Sequence, residues 1–267
     1  MLDYLRVCEK AVRAGGAILL EKIGRVNVRE KGRSDLVTEA DVASEETVRR
    51  TILAAFPDHL VIGEEDPRRG RGGEGHAGDE AEYRWFVDPL DGTTNYVHEV
   101  PHFCVSLALE RSGQLLVGAV FNPVAAECFS AVAGQGASLN GKPIRTSSIR
   151  SVAQSLAAVG FPPAVDADSP DLQLFLAALR QCQSLRRTGS AALNLCYLAA
   201  GRFDASWSYS TKSWDVAAGA LIVREAGGIV TSPDGGAFIP DEGHYLAAAN
   251  AQLHAQLRAL VTEAGLQ

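Results

Sequence analysis

Two different patterns of apolar runs divide this chain and limit the folds that it can adopt. Three strand-like runs separated by short turns predict an antiparallel meander, at about 103–109, 115–121 and 127–132. After about residue 150, strand-like runs alternate with helix-like runs, which is typical of an α/β unit. The sequence therefore predicts an α/β protein of one domain, 1–267, with an α+β lobe at about 1–145 and an α/β lobe at about 146–267.

Two amphipathic helices are expected before the meander. Apolar residues recur on one helical face across residues 2–23, and Gly24 ends that pattern. Thr38 has the character of an N-cap, with acidic residues in the first turn of a helix that reaches about Ala55. Residues 66–80 are polar and rich in glycine, so we expect a surface loop there rather than a domain linker.

The amino-acid composition and net charge limit which kinds of molecule the protein is expected to bind. The chain has 267 residues, 46% of them hydrophobic, which is enough for a sizeable core. The formal net charge of −7 argues against nucleic acid as the main partner. An acidic protein that binds an anionic phosphate ester needs local positive charge, and bound metal ions can supply it.

The cysteines and the N-terminal residues indicate which cellular compartment to expect. The five cysteines are odd in number, none form a C-x-x-C pair, and most lie in apolar runs, which favours reduced thiols. The first 16 residues carry charges throughout, unlike a signal peptide, and no apolar run reaches membrane-spanning length. We therefore expect a cytoplasmic protein with no membrane partner.

The segment Asp88-Pro-Leu-Asp91-Gly-Thr-Thr-Asn95 carries the clearest chemistry. It follows a run of strand formers at Tyr83–Val87, so its aspartates are expected at a strand end. Gly92 would allow close backbone approach, and the residues after it could open a short helix with free N–H groups for a phosphate oxygen. Two carboxylates three residues apart can hold a pair of metal ions about 4 Å apart.

Several familiar motifs can be compared with this segment by their spacing. An ordinary Asp-Gly turn remains open for the segment alone. Leu90 breaks the alternation that a calcium loop of the EF-hand type requires. Aspartyl phosphatases have their aspartates two residues apart rather than three. A cysteine phosphatase would need a reactive thiolate, and although Cys196 and Arg202 have the required spacing, their segment has the pattern of an apolar helix.

Three more acidic clusters lie far away in the sequence. Gly63-Glu64-Glu65 follows a short apolar run, and Trp214-Asp215 stands at an expected helix start. Asp35 and Asp41 flank Thr38. Each cluster alone could be a solvated turn or a helix cap, but four such clusters in one chain favour a shared acidic site.

These blocks resemble the inositol monophosphatase family of Mg²⁺-dependent, often lithium-sensitive phosphatases. The resemblance spans nearly the whole chain and rests on four segments in order: Lys31–Asp41, Gly63–Glu65, Asp88–Asn95 and Trp214–Gly219. It implies a layered αβαβα sugar-phosphatase fold, a Mg²⁺ cofactor, a small phosphorylated substrate and a homodimer.

The resemblance also implies residue roles. Glu64, Asp88 and the carbonyl of Leu90 would hold one metal, and Asp88, Asp91 and Asp215 a second. Thr93, Asp41 and Glu64 would be catalytic, with Thr93 and Asp41 orienting or deprotonating the attacking water. The residues that would contact substrate are Asp91, Gly92, Thr93, Gly189, Ser190, Ala191 and Asp215.

One position departs from the family pattern. Many members that prefer inositol phosphate have a glutamate seven residues before the final aspartate, and here that residue is Ser208. A serine accepts hydrogen bonds from sugar hydroxyls less strongly than a carboxylate. We therefore expect an altered alcohol pocket, unless Ser208 never meets substrate. Lys212 could face that pocket and favour a second negative charge, or simply be solvated.

The function expected from the resemblance is hydrolysis of inositol 1-phosphate or a related sugar phosphate. Fructose-1,6-bisphosphatase, histidinol-phosphate phosphatase and 3′-phosphoadenosine 5′-phosphate phosphatase activities remain alternatives, because one catalytic core serves them all. A regulatory binding protein that retains the fold without turnover is the alternative outside the enzymes, since some bacterial relatives are thought to contact the transcription machinery.

Overall fold

The computed structural model describes residues 1–32, 35–65, 81–162 and 164–266. Within them the chain forms seven α-helices: α1 Leu2–Lys22, α2 Glu39–Ala55, α3 Thr93–Val97, α4 Pro170–Leu179, α5 Ala191–Ala199, α6 Ser213–Glu225 and α7 Ala251–Glu263. The expected loop at 66–80 lies outside the described residues.

Fourteen strands are present in the described residues. They are β1 Val28–Gly32, β2 Asp35–Thr38, β3 Leu60–Gly63, β4 Tyr83–Asp91, β5 Cys104–Arg111, β6 Gln114–Asn122, β7 Glu127–Val132, β8 Ala137–Leu139, β9 Lys142–Pro143, β10 Leu156–Val159, β11 Ser184–Arg186, β12 Ala205–Ser208, β13 Ile229–Thr231 and β14 Tyr245–Ala248.

Two large sheets organise these strands. A seven-stranded sheet has the order β3-β4-β5-β6-β7-β8-β9, and β5, β6 and β7 form the antiparallel meander that the sequence predicts. A five-stranded sheet has the order β11-β10-β12-β14-β13. The pairs β11–β10 and β10–β12 are parallel, but β14 runs antiparallel to both of its neighbours, so the second sheet is mixed.

The helices and sheets stack as αβαβα layers. α1 and α2 pack together and cover one face of the seven-stranded sheet. α5 and α6 lie between the two sheets, where α6 contacts β5 and β6 while α5 contacts β10 and β12. α4 and α7 cover the outer face of the five-stranded sheet. The layered α/β fold expected from the sequence is confirmed.

Two glycines allow the central layer to pack closely. A Cβ added at Gly118 of β6 would lie 3.0 Å from the Cα of Ala218 in α6. A Cβ at Gly219 of α6 would lie 2.6 Å from the Cβ of Leu195 in α5. The contact at Gly219 is shorter than real Cβ contacts, so a side chain there would require α5 to move, and the contact at Gly118 is tight enough that α6 would have to shift slightly.

Local sequence signals match their elements closely. α2 begins after Thr38, whose hydroxyl accepts from the Ala40 N–H while Asp41 accepts from the Thr38 N–H, a capping box. Asn140 and Gly141 have positive φ angles of 50° and 76° in the hairpin between β8 and β9.

The five cysteines carry free thiols, and all except Cys182 are buried. Within the described parts of the chain, every helix is too short or too polar to cross a lipid bilayer.

Candidate active site

The Asp88–Asp91 segment ends a strand in the middle of the molecule. β4 pairs with β5 from Tyr83 to Asp91, and the register shifts between Asp88, which pairs with Ser106, and Asp91, which pairs with Cys104. Asp88 is 2% exposed and Asp91 is 9% exposed. The Asp88 carboxylate accepts from the Leu90 N–H at 2.9 Å.

Gly92 makes the bend from β4 into α3. Its φ of +97° lies in the left-handed region. A Cβ there would lie 3.0 Å from the carbonyl oxygen of His102 and 3.3 Å from that of Gly189. The backbone at Gly92 is therefore in close contact with the Gly189 loop, and only glycine fits both the angle and the space.

Glu64 stands beside Asp88 because their strands are parallel neighbours. Gly63 of β3 pairs with Val87 of β4, and the Glu64 N–H donates to the Val87 carbonyl at 3.2 Å. Parallel strands end at the same edge of a sheet, so the residues that follow them meet there.

A buried ion pair supports the turn that carries Glu64. Glu45 of α2 is 5% exposed, and its carboxylate accepts from the Glu65 N–H at 2.8 Å and from Arg49 at 3.0 Å. Arg49 also donates to the Val61 carbonyl at 3.0 Å. A Cβ at Gly63 would lie 2.2 Å from the Glu45 carboxyl carbon, so this glycine makes room for the contact.

Asp91 connects β4 to the first turn of α5. One carboxylate oxygen accepts from the Ser190 hydroxyl at 2.6 Å and from the Ala192 N–H at 2.7 Å. The other accepts from the Ala191 N–H at 3.3 Å. The predicted residues Gly189, Ser190 and Ala191 are thereby brought next to Asp91, although they lie about a hundred positions later in the sequence.

Asp215 enters from the start of α6. Its carboxylate accepts from the Lys212 N–H at 2.8 Å, and the residue is partly exposed. The capping role considered for this aspartate is thus real, but the same side chain also lies within electrostatic range of Glu64, Asp88 and Asp91.

Burial and mutual repulsion act on these carboxylates together. Burial, followed by the charges of Glu64, Asp91 and Asp215, raises the pKa of Asp88 well above its ordinary value. Burial and the charges of Asp91 and Glu64 likewise raise the pKa of Asp215. Burial raises the pKa of Asp91, against the lowering effect of its hydrogen bonds from Ser190, Ala192 and Ala191. Nearby positive charge would relieve this repulsion.

The donor set suits hard divalent cations. Carboxylate and carbonyl oxygens are the ligands that Mg²⁺ prefers, and bound cations would stabilise crowded acidic side chains whose pKa values are raised. In the residues that the structure describes, no three His, Cys, Asp or Glu side chains are yet close enough to enclose an ion. Asp88, Asp91 and Asp215 each accept a backbone N–H, so they would have to draw together around a cation.

The predicted catalytic pair is in contact. The Thr93 hydroxyl lies 3.3 Å from one oxygen of Asp41 and 3.0 Å from the Leu90 carbonyl oxygen. The second oxygen of Asp41 accepts from the N–H and the hydroxyl of Thr38, at 2.9 and 2.6 Å. Asp41 is 1% exposed, so Thr38 fixes a buried carboxylate with one oxygen toward Thr93.

Asp91, Thr93 and Asp215 border a cleft of about 440 Å³, whereas Asp41, Glu64, Asp88 and Leu90 are absent from its described lining. The predicted site residues that line it are Asp91, Gly92, Thr93, Gly189, Ser190, Ala191 and Asp215. Sequence reasoning did not assign the other lining residues, among them Asn95, Phe161 and Arg187. Asn95 donates to the carbonyls of His102 and Thr188, at 2.7 and 2.9 Å, and so ties α3 to the Gly189 loop.

Ser208 and Lys212 are not among the side chains that line the described part of the cleft. Ser208 is 1% exposed and lies behind the cleft wall, since a Cβ on the wall residue Gly160 would be 2.9 Å from the Ser208 Cβ. Ser210 and Thr211 line the cleft instead. Lys212 is exposed and is absent from the described lining. Of the alternatives left open by the sequence, the structure favours a Ser208 that does not meet substrate, because it is buried in β12, and a solvated Lys212.

The cysteine-phosphatase alternative does not fit the structure. Cys196 is fully buried in α5, and burial raises the pKa of its thiol well above the ordinary value. Arg202 pairs with Glu127 at 2.8 Å rather than with a bound anion.

Comparison with known proteins gives a consistent assignment. The model of the inositol monophosphatase family matches residues 2–266. The chain is 40% identical over 253 residues to Nus factor SuhB of Pseudomonas aeruginosa, covering 92% of each chain. It is 40% identical over 232 residues to the fructose-1,6-bisphosphatase/inositol-1-monophosphatase of Aquifex aeolicus, covering 85% of each. The solved structure of inositol monophosphatase from Anabaena has a TM-score of 0.85 and 36% identity, with 98% of this chain and 96% of that one covered.

Proposed function

This chain belongs to the inositol monophosphatase family, and we propose that it is a Mg²⁺-dependent phosphomonoesterase that hydrolyses inositol 1-phosphate or a related small sugar phosphate. One observation carries the proposal. Four acidic side chains from three distant segments lie close enough for Glu64, Asp91 and Asp215 to raise the pKa of Asp88, beside a cleft lined by Thr93, whose hydroxyl contacts Asp41. Family membership makes a phosphatase the expected activity of such a site.

The reaction is the transfer of a phosphoryl group to water. Water attacks phosphorus opposite the ester oxygen, the bond to that oxygen breaks, and the products are an alcohol and inorganic phosphate. Thr93 accepts a hydrogen bond from the attacking water while its own proton is directed to Asp41. The water proton then passes through this pair, because Thr38 binds one oxygen of Asp41 and the Thr93 hydroxyl contacts the other.

Glu64, Asp88, Asp91, Asp215 and the Leu90 carbonyl are the groups that would hold the cations. When bound, Mg²⁺ would neutralise these carboxylates, bind the phosphate oxygens and activate water. The chain itself supplies the backbone N–H groups of Gly92 and Thr93 toward the phosphate, since the first N–H groups of a helix have no acceptor within it.

The alcohol side of the substrate would contact the Gly189–Ala191 segment. Asp91 and Asn95 hold this segment against α3, so the phosphate-binding and alcohol-binding parts of the site form one connected unit. The name of the Aquifex relative supports both sugar bisphosphates and inositol phosphate as candidate substrates.

A panel of phosphate esters tests the proposal. Purified protein with Mg²⁺ is incubated with inositol 1-phosphate, fructose 1,6-bisphosphate, histidinol phosphate and 3′-phosphoadenosine 5′-phosphate, and released phosphate is measured. We expect catalytic turnover of at least one ester, with inositol 1-phosphate among those accepted. No turnover of any ester above the uncatalysed rate would contradict the proposal.

A second candidate is a regulatory binding role. The name of the Pseudomonas aeruginosa relative, Nus factor SuhB, describes a regulatory factor rather than an enzyme, and it motivates this alternative. The variant Asp88→Asn distinguishes catalysis from regulatory binding. It should abolish turnover and leave binding through the protein surface intact.

We also propose a homodimer in the cytoplasm, as the family resemblance implies. Light scattering coupled to size-exclusion chromatography would give the mass of the particle, and a monomer at micromolar concentration would contradict the dimer. Fractionation of the native cells would locate the protein.

A further inference from the structure

Two neighbouring hydroxyl residues, Ser210 and Thr211, lie side by side in the lining of the cleft. They follow β12, which ends at Ser208 and pairs in parallel with β10. Ligands of α/β proteins bind beyond the carboxyl ends of parallel strands. The Ser210–Thr211 segment is therefore placed where it can contact the alcohol part of a substrate.

Asp171 holds the first of these hydroxyls from behind. It is 1% exposed and lies in the first turn of α4, where the helix dipole favours a negative charge. Its carboxylate accepts from the Ser210 hydroxyl at 2.9 Å and from the Tyr209 N–H at 2.8 Å. Burial raises the pKa of Asp171, and these two hydrogen bonds oppose that rise. Because Ser210 is exposed, the hydroxyl is accessible to a ligand although the carboxylate is not.

The backbone holds the second hydroxyl in the same way. The Thr211 hydroxyl and N–H both donate to the Gly243 carbonyl oxygen, at 2.5 and 2.9 Å. Gly243 has a φ of +68°, and a Cβ there would overlap the Thr211 carbonyl oxygen, so the contact requires glycine. The next N–H, of Lys212, donates to Asp215 at 2.8 Å, which joins the segment directly to the acidic site.

The direction of these hydrogen bonds determines what the segment can bind. A hydroxyl has one proton to donate and two lone pairs that accept. The protons of Ser210 and Thr211 go to Asp171 and Gly243, which are absent from the described lining of the cleft. Toward a ligand, both oxygens can therefore act only as acceptors. Donation to a carboxylate also makes the Ser210 oxygen a better acceptor, because linked hydrogen bonds polarise one another.

We propose that Asp171, acting through Ser210, makes the Ser210–Thr211 segment an acceptor site for hydroxyl groups of the substrate alcohol. Ser210 contacts the substrate, and Asp171 is a positioning residue that fixes the direction of the Ser210 proton. The inference rests on the proposed phosphatase function and names the esters that the site selects, which are phosphates of alcohols that carry further hydroxyl groups.

Esters matched in their carbon skeleton test the acceptor site. Glycerol 2-phosphate and isopropyl phosphate differ only in the hydroxyl groups of the alcohol, and so do myo-inositol 1-phosphate and cyclohexyl phosphate. Phosphate release from each is measured with Mg²⁺ present. We expect wild-type kcat/KM to favour the hydroxylated member of at least one pair, since only that member can donate to Ser210 and Thr211.

Ser210→Ala should lower kcat/KM for the hydroxylated ester of the favoured pair by about fivefold, mainly through KM, and change the other member less than about twofold. Asp171→Asn should weaken the preference too, because an amide N–H can donate to the Ser210 oxygen and release the Ser210 proton toward the cleft. The double variant should lose no more than Ser210→Ala alone, since the two residues act as one unit.

Asp168→Asn is the matched control for Asp171→Asn. Asp168 is exposed, lies three residues earlier and is absent from the described lining of the cleft, so its variant should keep the wild-type preference. Loss of folding affects both members of a pair equally, so the preference reports on the acceptor site rather than on stability. Ser210→Ala changes an exposed side chain and decides the question alone if Asp171→Asn does not give folded protein.

Three results would overturn the acceptor site. They are a wild type with no preference within either pair, a Ser210→Ala variant that keeps the wild-type preference, and a folded Asp171→Asn variant that slows both members equally. Failure of wild-type protein to hydrolyse any ester would instead contradict the proposed function, and this inference with it.

Discussion

Asp88 is the residue on which the proposed chemistry depends most. It is buried, it is surrounded by Glu64, Asp91 and Asp215, and it is the one side chain proposed to contact both cations. Asp88→Asn keeps the shape and removes the shared charge. We expect turnover to fall by about 10³-fold or more, equivalent to several kcal/mol of transition-state stabilisation, with little change in circular dichroism.

Asp58→Asn is a suitable control for that variant, because Asp58 is an exposed residue outside the cleft lining. It should retain wild-type kinetics. An Asp88→Asn protein that keeps more than about a tenth of the wild-type rate would show that the shared-ligand role is wrong, since a bridging charge is worth far more than tenfold.

Thr93 gives a second prediction at the residue scale. Its hydroxyl lies between Asp41 and the Leu90 carbonyl, so removing it should impair the orientation of water more than the binding of substrate. Thr93→Ala should lower kcat by about 10²-fold or more with a modest change in KM. Thr93→Ser keeps the hydroxyl and should retain most of the rate. A change confined to KM would make Thr93 a binding residue.

At the scale of elements, α2 supports the turn after β3. The Glu45 carboxylate accepts from the Glu65 N–H and from Arg49, and it occupies the space left by Gly63. Glu45→Gln should lower kcat/KM by about tenfold, the scale of one charge-assisted hydrogen bond, and raise the Mg²⁺ concentration needed for half-maximal rate.

The neighbouring Glu46 is exposed and provides the matched control, so Glu46→Gln should behave as wild type. If Glu45→Gln lowers thermal stability but leaves both kcat/KM and the Mg²⁺ requirement unchanged, then Glu45 stabilises α2 without positioning Glu64.

The segment just before β3 should make the stability of the protein depend on pH, through His59. His59 stacks on Tyr83 at 4.5 Å and on Phe56 at 4.8 Å, and its Nδ1 accepts from the Trp85 indole N–H at 3.0 Å. Burial lowers the pKa of His59, against the raising effect of Asp58 and Glu82. A protonated imidazole cannot accept the indole hydrogen bond.

A lowered folded-state pKa means that the unfolded chain binds the proton more tightly. The contribution of neutral His59 to stability is therefore present above about pH 6.5, the ordinary histidine pKa, and is lost as pH falls through the folded-state pKa. Urea unfolding of wild type and His59→Gln across this range should show a stability difference that narrows on acidification. A difference independent of pH would contradict the assignment.

At the scale of the whole molecule, the site exists because the two sheets and the central helices meet. Glu64 follows β3 and Asp88 lies on β4, both in the seven-stranded sheet. Asp215 lies in the first turn of α6, between the two sheets. Asp91 reaches across to the first turn of α5. The four carboxylates thus come from three parts of the chain, the end of β3, β4 and the start of α6, and none of these segments could form the site alone.

Local signals predicted the elements that depend on nearest neighbours. The Thr38 cap, the meander and the bend at Gly92 follow from short-range stereochemistry, and the structure has each of them. The antiparallel direction of β14 could not be predicted in this way, because strand direction in a sheet depends on how distant segments pack.

The candidate site shows the same division. Its acidic residues could be proposed from the sequence because several carboxylates at strand ends and helix starts in one chain are an unusual combination. The sequence left the position of Ser208 open, since burial of a small polar residue depends on its strand neighbours rather than on its own segment. Arg187 was missed, although an arginine directly after a strand and two residues before Gly189 was a usable signal.

Metal dependence of phosphate release tests the central claim most directly. Protein is treated with a chelator and assayed with the best ester from the panel. It is then transferred to buffer with Mg²⁺ and assayed again. The crowded carboxylates repel one another and an anionic substrate unless cations are bound. We therefore predict negligible turnover in the chelator and full recovery with Mg²⁺, whereas undiminished turnover in excess chelator would contradict the account.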